Sequence, residues 1–367
     1  MRRGTVTLAS TLDGQRSVVS HTSMTRTRSS DVQHTLVQHT LFELPTRRIA
    51  AVPARRELSE LAEALPKQIR LGAMTWSYRG WVGSVYAEDS SEQALARYGL
   101  TAYAQHPLLS LAEIDRTYYE PLSADVFQQY ADQVPEHFQF LVKAHELCTI
   151  QRFPRHARYG QQRGLVNELF LDVDYAIKRV IEPALAGLGG RLLTVLWQFS
   201  PQDASDPRGF AERLGEFLLR LPKTCRYAVE LRNPELLTRE YGAALHASGA
   251  THCHNAWTAM PSVLEQARAT PVSARHPLLI RWLLRPGERF EQARTRYLPF
   301  DRIVAEDLQT RHDVVTLVTK AHAHGVPAYV LVDNKAEGSA PESIIRLSQA
   351  IRMRLESADR PALGDGR

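Results

Sequence analysis

The sequence is poor in cysteine and has no long apolar run, and each shortage removes a class of protein. Three cysteines in 367 residues, Cys148, Cys225 and Cys253, stand far apart with no C-x-x-C spacing. A disulfide scaffold and a zinc ribbon are thereby disfavoured, and a reducing, cytoplasmic compartment is expected. No apolar stretch reaches the roughly 18 to 20 residues that a membrane-spanning helix requires, so no membrane partner is expected. There is no P-loop, no nucleophile elbow, no H-E-x-x-H, and no G-x-G-x-x-G after the first strand-like run. Nucleotide hydrolysis at a P-loop and serine-esterase chemistry are disfavoured accordingly. Excess charge of one sign is also scarce: 45 Lys and Arg against 40 Asp and Glu leave +5, with a pI near 9.1. So small an excess permits weak attraction to polyanions without establishing nucleic-acid binding.

What is present is an ordinary globular composition, 44% hydrophobic and 23% charged, in a length that suits one large domain with an appendage. Residues 1–66 read as the appendage. The first thirty hold Arg2, Arg3, Arg16, Arg26 and Arg28 but only one acidic residue, Asp13, among many Ser and Thr. Organelle transit peptides share that composition, but no amphipathic helix accompanies it. The plainer expectation is a disordered extension, with Met24 as an alternative start. Within the appendage, Arg56–Leu65 is spaced as a helix ended by Pro66 and able to pack on the domain after it. Residues 357–367 read as a tail.

Between them, over 67–356, short apolar runs alternate with longer amphipathic ones. Strands are predicted at Ile69–Thr75, Leu109–Asp115, Phe138–Lys143, Leu192–Phe199, Arg226–Leu231, Ala250–His254, Leu278–Leu283 and Ala328–Asp333. Helical spacing predicts Ala124–Val134, Val173–Leu188, Phe210–Leu221 and Ala305–His324, with Ser123 an N-cap and Gly325 a C-terminal stop. Eight strands separated by mostly helical connections predict an α/β fold, a (β/α)8 TIM-type barrel. A doubly wound open sheet is the alternative, but it lacks its glycine fingerprint here.

Barrels of this kind place their active sites at the C-terminal ends of the strands. Those ends are all polar or aromatic here, and they supply the candidates. Glu113 and Glu230 can serve as general acid and base, or sit in a structural ion-pair network with Arg232, Arg281 and Lys143. Lys143 can act as a base or nucleophile if desolvated, or bind an anionic or hydroxylated ligand if charged. Arg232 and Arg281 can grip carboxylate or phosphate, and Gln198 and Asn334 can orient hydroxyls. Trp76, Tyr78, Trp81, Tyr118 and Tyr119 offer ring faces for stacking, or pack loops over the core, with Thr117 beside them. His252 and His254 lie two apart on a strand and so share a face, which permits a divalent metal completed by Glu113, Glu230 or Asp333. Equally, Cys253 and Asn255 can be the inward pair, leaving both histidines against the helices. His322 and His324, near a helix C-terminus, read as structural.

These segments also resemble one family. The similar blocks are Gly72-Ala73-Met74-Thr75-Trp76-Ser77-Tyr78 with Trp81, Ala112–Tyr119, Phe138–Ala144, Leu196–Pro201, Ala228–Arg232 and Asp333-Asn334. In that order they resemble the domain of unknown function 72, or YecE-like, family over residues 69 to 350. The resemblance implies a TIM barrel with a pocket and carries no established reaction. The sequence departs from the family where Asp115-Arg116 replaces an Asn-Ser pair, and where Asp333-Asn334 replaces Asn-Asn. It is also richer in potential ligands at His252-Cys253-His254-Asn255.

The leading expectation is an enzyme performing acid–base chemistry, hydrolytic or isomerising, on a polar carbohydrate-like or phosphorylated small molecule. Glu113, Glu230 and Lys143 would be its catalytic groups. A nucleic-acid-binding protein, such as a metal-dependent repair-type nuclease, is the second reading, and a non-catalytic ligand-binding scaffold the third.

Overall fold

Strand-forming residues recur in eight short runs, and all eight runs become parallel strands. The computed structural model describes residues 48–270, 272–273 and 276–358. The Arg-rich N-terminal segment and residues 359–367 of the expected tail lie outside the described residues. The strands are β1 (Ile69–Ala73), β2 (Leu111–Ile114), β3 (Gln139–Lys143), β4 (Leu192–Phe199), β5 (Tyr227–Leu231), β6 (Thr251–Ala256), β7 (Leu278–Trp282) and β8 (Ala328–Val332). They hydrogen-bond in sequence order, and β8 returns to β1, closing the barrel.

The helices around it are α1 (Arg56–Ala64), α2 (Glu92–Tyr98), α3 (Leu100–Tyr103), α4 (Ala124–Ala131), α5 (Val173–Ala176), α6 (Glu182–Leu188) and α7 (Pro207–Arg220). They continue as α8 (Arg239–Ser248), α9 (Val263–Ala269), α10 (Phe290–Tyr297), α11 (Leu308–Ala323), α12 (Asn334–Glu337) and α13 (Ala340–Ala358). Helix α1 buries Leu58 and Leu61 in the same apolar cluster as Ile344, Leu347 and Ile351 of α13. The segment predicted as one helix over Val173–Leu188 instead changes to a π-helical turn, Ile177–Ile181, between α5 and α6. Pro183 explains the slip, since it has no N–H to give the carbonyl four residues back and its ring crowds that carbonyl. Ser123 occupies the cap position of α4 without a side-chain cap bond, whereas Gly325 takes the left-handed φ of 67° expected of a stop.

Strand alternation sorts side chains into two environments. Outward residues such as Leu71, Val142, Trp197, Val229 and Val330 are buried under the helices. Inward, Leu111, Leu141, Leu196, Ala228, Cys253, Leu279 and Leu331 form one apolar cluster. Two residues further along each of those strands, on the same face, stand Glu113, Lys143, Gln198, Glu230, Asn255, Arg281 and Asp333. The barrel is therefore plugged by an apolar layer and topped by a polar one. Period two fixes both at once.

The β1–β2 seam, like that between β5 and β6, is narrow. Only Gly72↔Leu111 and Ala73↔Ala112 pair there. A Cβ on Gly72 would stand 1.8 Å from the Leu111 carbonyl oxygen, so the strands meet where no other residue fits. Tyr103 completes the seam: its hydroxyl accepts from the Ala73 N–H at 2.7 Å and donates to the Leu111 carbonyl at 2.9 Å. Tyr103→Phe would leave two buried main-chain groups unpaired, so a loss of about 1–3 kcal/mol is expected in urea denaturation. An unchanged midpoint would mean that the two strands close without the hydroxyl.

Candidate functional site

The polar layer is held by one arginine. Arg281, at the end of β7, donates from Nε and Nη2 to the two oxygens of Glu113 at 2.9 and 2.8 Å. Its Nη1 donates to Glu230 Oε2 and, at 3.3 Å, to Gln198 Oε1. Arg232 donates through Nε to the other Glu230 oxygen and through Nη2 to Gln198 at 3.3 Å. The guanidinium of Arg232 also lies 4.0 Å over the Trp257 ring. One guanidinium thus bridges two carboxylates across the barrel, and Gln198 accepts from both arginines.

Around this floor stand two more ion pairs. Lys143 Nζ donates to Asp115 Oδ1 at 2.8 Å and sits 4.1 Å over the Tyr118 ring. Lys335 pairs with Asp333 at 2.8 Å and lies 4.8 Å over Phe290. Four cations, Arg232, Arg281, Lys143 and Lys335, therefore face four carboxylates, Glu230, Glu113, Asp115 and Asp333.

Their environments push the carboxyl groups apart. Burial is the largest influence on Glu113 and raises it to about 7, with Arg281 opposing and Asp115 reinforcing the rise. Burial acts on Glu230 too, but Arg232 and Arg281 together hold it below its ordinary value. Desolvation also works against Asp115, where Lys143 prevails and keeps it low. Lys335 loses solvent as well, yet Asp333 raises it. Near neutral pH this leaves one carboxyl poised between its two forms among ionised neighbours.

A cavity of about 1470 Å³ opens above the floor. Of the sequence candidates, Glu113, Lys143, Gln198, Arg232, Arg281, Trp76, Tyr78, Tyr119 and Asp333 line it. Trp76 is nearly buried, donating to the Ala96 carbonyl at 3.2 Å and meeting Tyr130 edge-on at 5.3 Å. Tyr78 packs on Trp81 and Phe300, while Tyr119 is 59% exposed at the rim.

Apart from the two histidines, four candidates do not line the cavity: Glu230, Thr117, Asn334 and Trp81. Glu230 is fully buried behind the two arginines that grip it. Thr117 is buried with its hydroxyl held at the carbonyls of Ile114 and Lys143. Asn334 is buried too, its Oδ1 accepting from Trp81 Nε1 at 3.1 Å and from the Ala340 N–H at 2.8 Å. These last two fasten loops rather than face a ligand.

The metal candidates separate. Cys253 and Asn255 are the inward pair of β6, so His252 and His254 face the helices outside. His252 has Tyr241 Oη at 2.8 Å on Nδ1 and Gln266 Oε1 at 3.2 Å on Nε2. His254 lies with Nδ1 3.3 Å from the Leu279 carbonyl, and burial lowers it to about 4. Asp333 is on the mouth side, paired with Lys335. Among the described residues no group of three or more His, Cys, Asp or Glu is placed to hold a metal ion. These side chains do not fit the divalent site expected of them. The physical reason is strand alternation, which sends neighbours in sequence to opposite faces.

Several lining residues were not among the candidates: Asp115, Lys335 and Trp257, and Gln93, Tyr98 and Gln129 on α2 and α4. Asp115 and Lys335 carried a usable signal, since each lies two residues beyond a residue already singled out. The helix residues carried none, because α2 is not predicted and the strand alternation that sorts the floor gives no direction on α4.

Two outcomes test the layer. Arg281→Met strips Glu113 of its partner in a dry site, and a loss of about 3–5 kcal/mol in chemical denaturation is expected; a loss below about 1 kcal/mol would remove Arg281 from the centre of the fold. Infrared titration should show one carboxyl band disappearing as pH rises through about 7, absent in Glu113→Gln. Because the folded value lies above the ordinary 4.5, wild type should lose stability relative to Glu113→Gln as pH rises across that window.

The comparisons with known proteins agree with this architecture. The family model described as protein of unknown function DUF72 matches residues 70–364. A DUF72 family protein from Enterococcus faecalis V583 is 17% identical, with a TM-score of 0.51 over 77% of this chain and 95% of its own. Another, from Thermotoga maritima MSB8, is 18% identical, with a TM-score of 0.45 over 78% of this chain and 99% of its own. No curated protein sequence is detectably similar. Among the described residues no helix is long and apolar enough to cross a membrane. With most of its length matched by that model, the chain belongs to the DUF72 family.

Proposed function

We propose that the protein is an enzyme that moves a proton at the mouth of its barrel, on a polar, ring-containing small molecule of carbohydrate-like type. The observation that carries this reading is the position of Glu113. It lines a large cavity at the C-terminal ends of the strands while embedded in a buried network of paired charges. A buried carboxyl with a value of about 7 can give or accept a proton at neutral pH, which a solvated glutamate does poorly. Asp115, two residues along the same strand face, supplies an ionised neighbour, and Lys143 holds it in place. Glu230 serves this chemistry as the counter-charge that fixes Arg281 and Arg232. The arginines, Gln198 and the aromatic rim supply hydrogen bonds and ring faces for orientation.

A nucleic-acid reading draws less support. Phosphate recognition needs cations free to replace counterions, and the floor cations are already matched by carboxylates. The nuclease version would also need a metal, for which the histidines face the wrong way.

The test is turnover of a panel of sugars and sugar phosphates followed by proton NMR. Wild type should convert at least one of them, and Glu113→Gln should bind it but slow conversion by about a hundredfold to ten-thousandfold. Binding without conversion in wild type would make the barrel a ligand-binding scaffold.

A further inference from the structure

The cavity is larger and longer than its floor requires. At about 1470 Å³ it exceeds the usual range for a small-ligand cleft, about 300–1,000 Å³. The surplus has a direction. From Glu113 and Lys143 the lining runs past Trp76 and Tyr130, whose rings meet edge-on, to a wall formed by α2 and α4. That wall presents Gln93, Tyr98 and Gln129, all exposed, with Arg97 5.7 Å from the Tyr98 ring. Among the described residues neither the Gln93 nor the Gln129 side-chain amide has a hydrogen-bond partner.

Charge narrows what could fill it. The lining cations are Arg97, Arg116, Lys143, Arg232, Arg281 and Lys335. Five of these meet a carboxylate: Arg116 meets Glu120, Lys143 meets Asp115, Arg232 meets Glu230, Arg281 meets Glu113 and Glu230, and Lys335 meets Asp333; Arg97, on the outer wall, has no ion pair among the described residues. A ligand with a strong net charge would have to break these pairs to gain anything. Over the floor, phosphate and carboxylate groups therefore find no surplus cation, and an amine finds no surplus anion. Free amides and exposed ring faces suit the hydroxyls and flat apolar faces of sugar rings. The length suits more than one of them.

Resting on the mouth as the reacting site, we propose that the ligand is an uncharged oligosaccharide of at least two linked rings. One ring lies over the Glu113–Gln198–Arg281 floor, and the next lies between α2 and α4, against Tyr98 and Gln129. The outer wall is then a second subsite that selects for length, while the floor performs the chemistry.

The experiment is binding of the full chain to an array of uncharged oligosaccharides of two to four rings. Their parent monosaccharides, sugar phosphates and a short single-stranded DNA are measured in parallel. Oligosaccharides of one type should bind at least about tenfold tighter than the monosaccharide. Their affinity should hold between about 50 and 200 mM salt, a range over which phosphate-driven binding falls steeply. The pair Tyr98→Ala and Gln129→Ala, both exposed and away from the floor, should reduce oligosaccharide affinity to the monosaccharide level and leave monosaccharide binding unchanged. Equal affinity for one ring and several, tighter salt-sensitive binding of sugar phosphates or DNA, or binding of none of them by folded protein would each overturn the proposal. Oligosaccharide bound but never converted would overturn the catalytic reading and keep this one. Conversion of a monosaccharide with no preference for length would do the reverse.

Discussion

The mouth of this barrel is organised by a single guanidinium placed where two carboxylates would otherwise repel across a dry interior. Arg281 is 3% exposed, and Glu113 and Glu230 are no more accessible. Removing any such charge from water costs several kcal/mol, which only close pairing offsets. The bidentate grip on Glu113 fixes the plane of the guanidinium, and that plane aims its remaining nitrogen at Glu230. Glu230 then draws in Arg232, and both arginines converge on Gln198. Side chains from β2, β4, β5 and β7 are tied together in this way, so the floor is rigid before any ligand arrives. Rigid placement of polar groups is what orientation and proton transfer both require.

Sharing one arginine between two glutamates also makes them unequal. Glu230 has a second partner in Arg232, whereas Lys143, the other cation within reach of Glu113, is held by Asp115. The less compensated carboxyl is the one that faces the cavity. The asymmetry thus follows from which strand carries the second arginine. It is set by Arg232 lying two residues beyond Glu230 on the same face.

Much of this is legible in the chain itself, because a barrel translates sequence parity into direction. Apolar residues at 111, 141, 196, 228, 253, 279 and 331 mark the inward face, and adding two to each gives a residue of the polar layer. Glu113, Lys143, Gln198, Glu230 and Arg281 are recoverable by that rule. The same rule resolves β6: inward Arg281 on β7 pairs opposite Asn255, and on the other side outward Val229 of β5 pairs opposite His252. What the rule cannot give is access to the cavity. Glu230 and Glu113 occupy matching places on their strands and are buried alike, yet only the latter is among the residues that line the cavity. Thr117 and Asn334 mislead for a related reason: just beyond a strand, a polar side chain can as readily close a loop as face a ligand, and buried carbonyls nearby claim it.

The walls are not legible in that way, and their origin connects stability to site shape. Helices α2 and α3 adjoin at Gly99 within the connection between β1 and β2. At the end of α3, Tyr103 bridges the β1–β2 seam with its hydroxyl, at a place where Gly72 lets the strands approach. Five residues earlier, at the end of α2, Tyr98 stands on the cavity wall. The piece of chain that completes the barrel is therefore the piece that extends its mouth. Such coupling has a consequence for how the cleft varies. The wall cannot be remodelled by changing the length of α2 without moving the tyrosine that seals the strands, whereas single side chains on its exposed face can change freely. Side-chain changes at Gln93, Tyr98 and Gln129 would therefore alter the wall while leaving the floor and the seam in place.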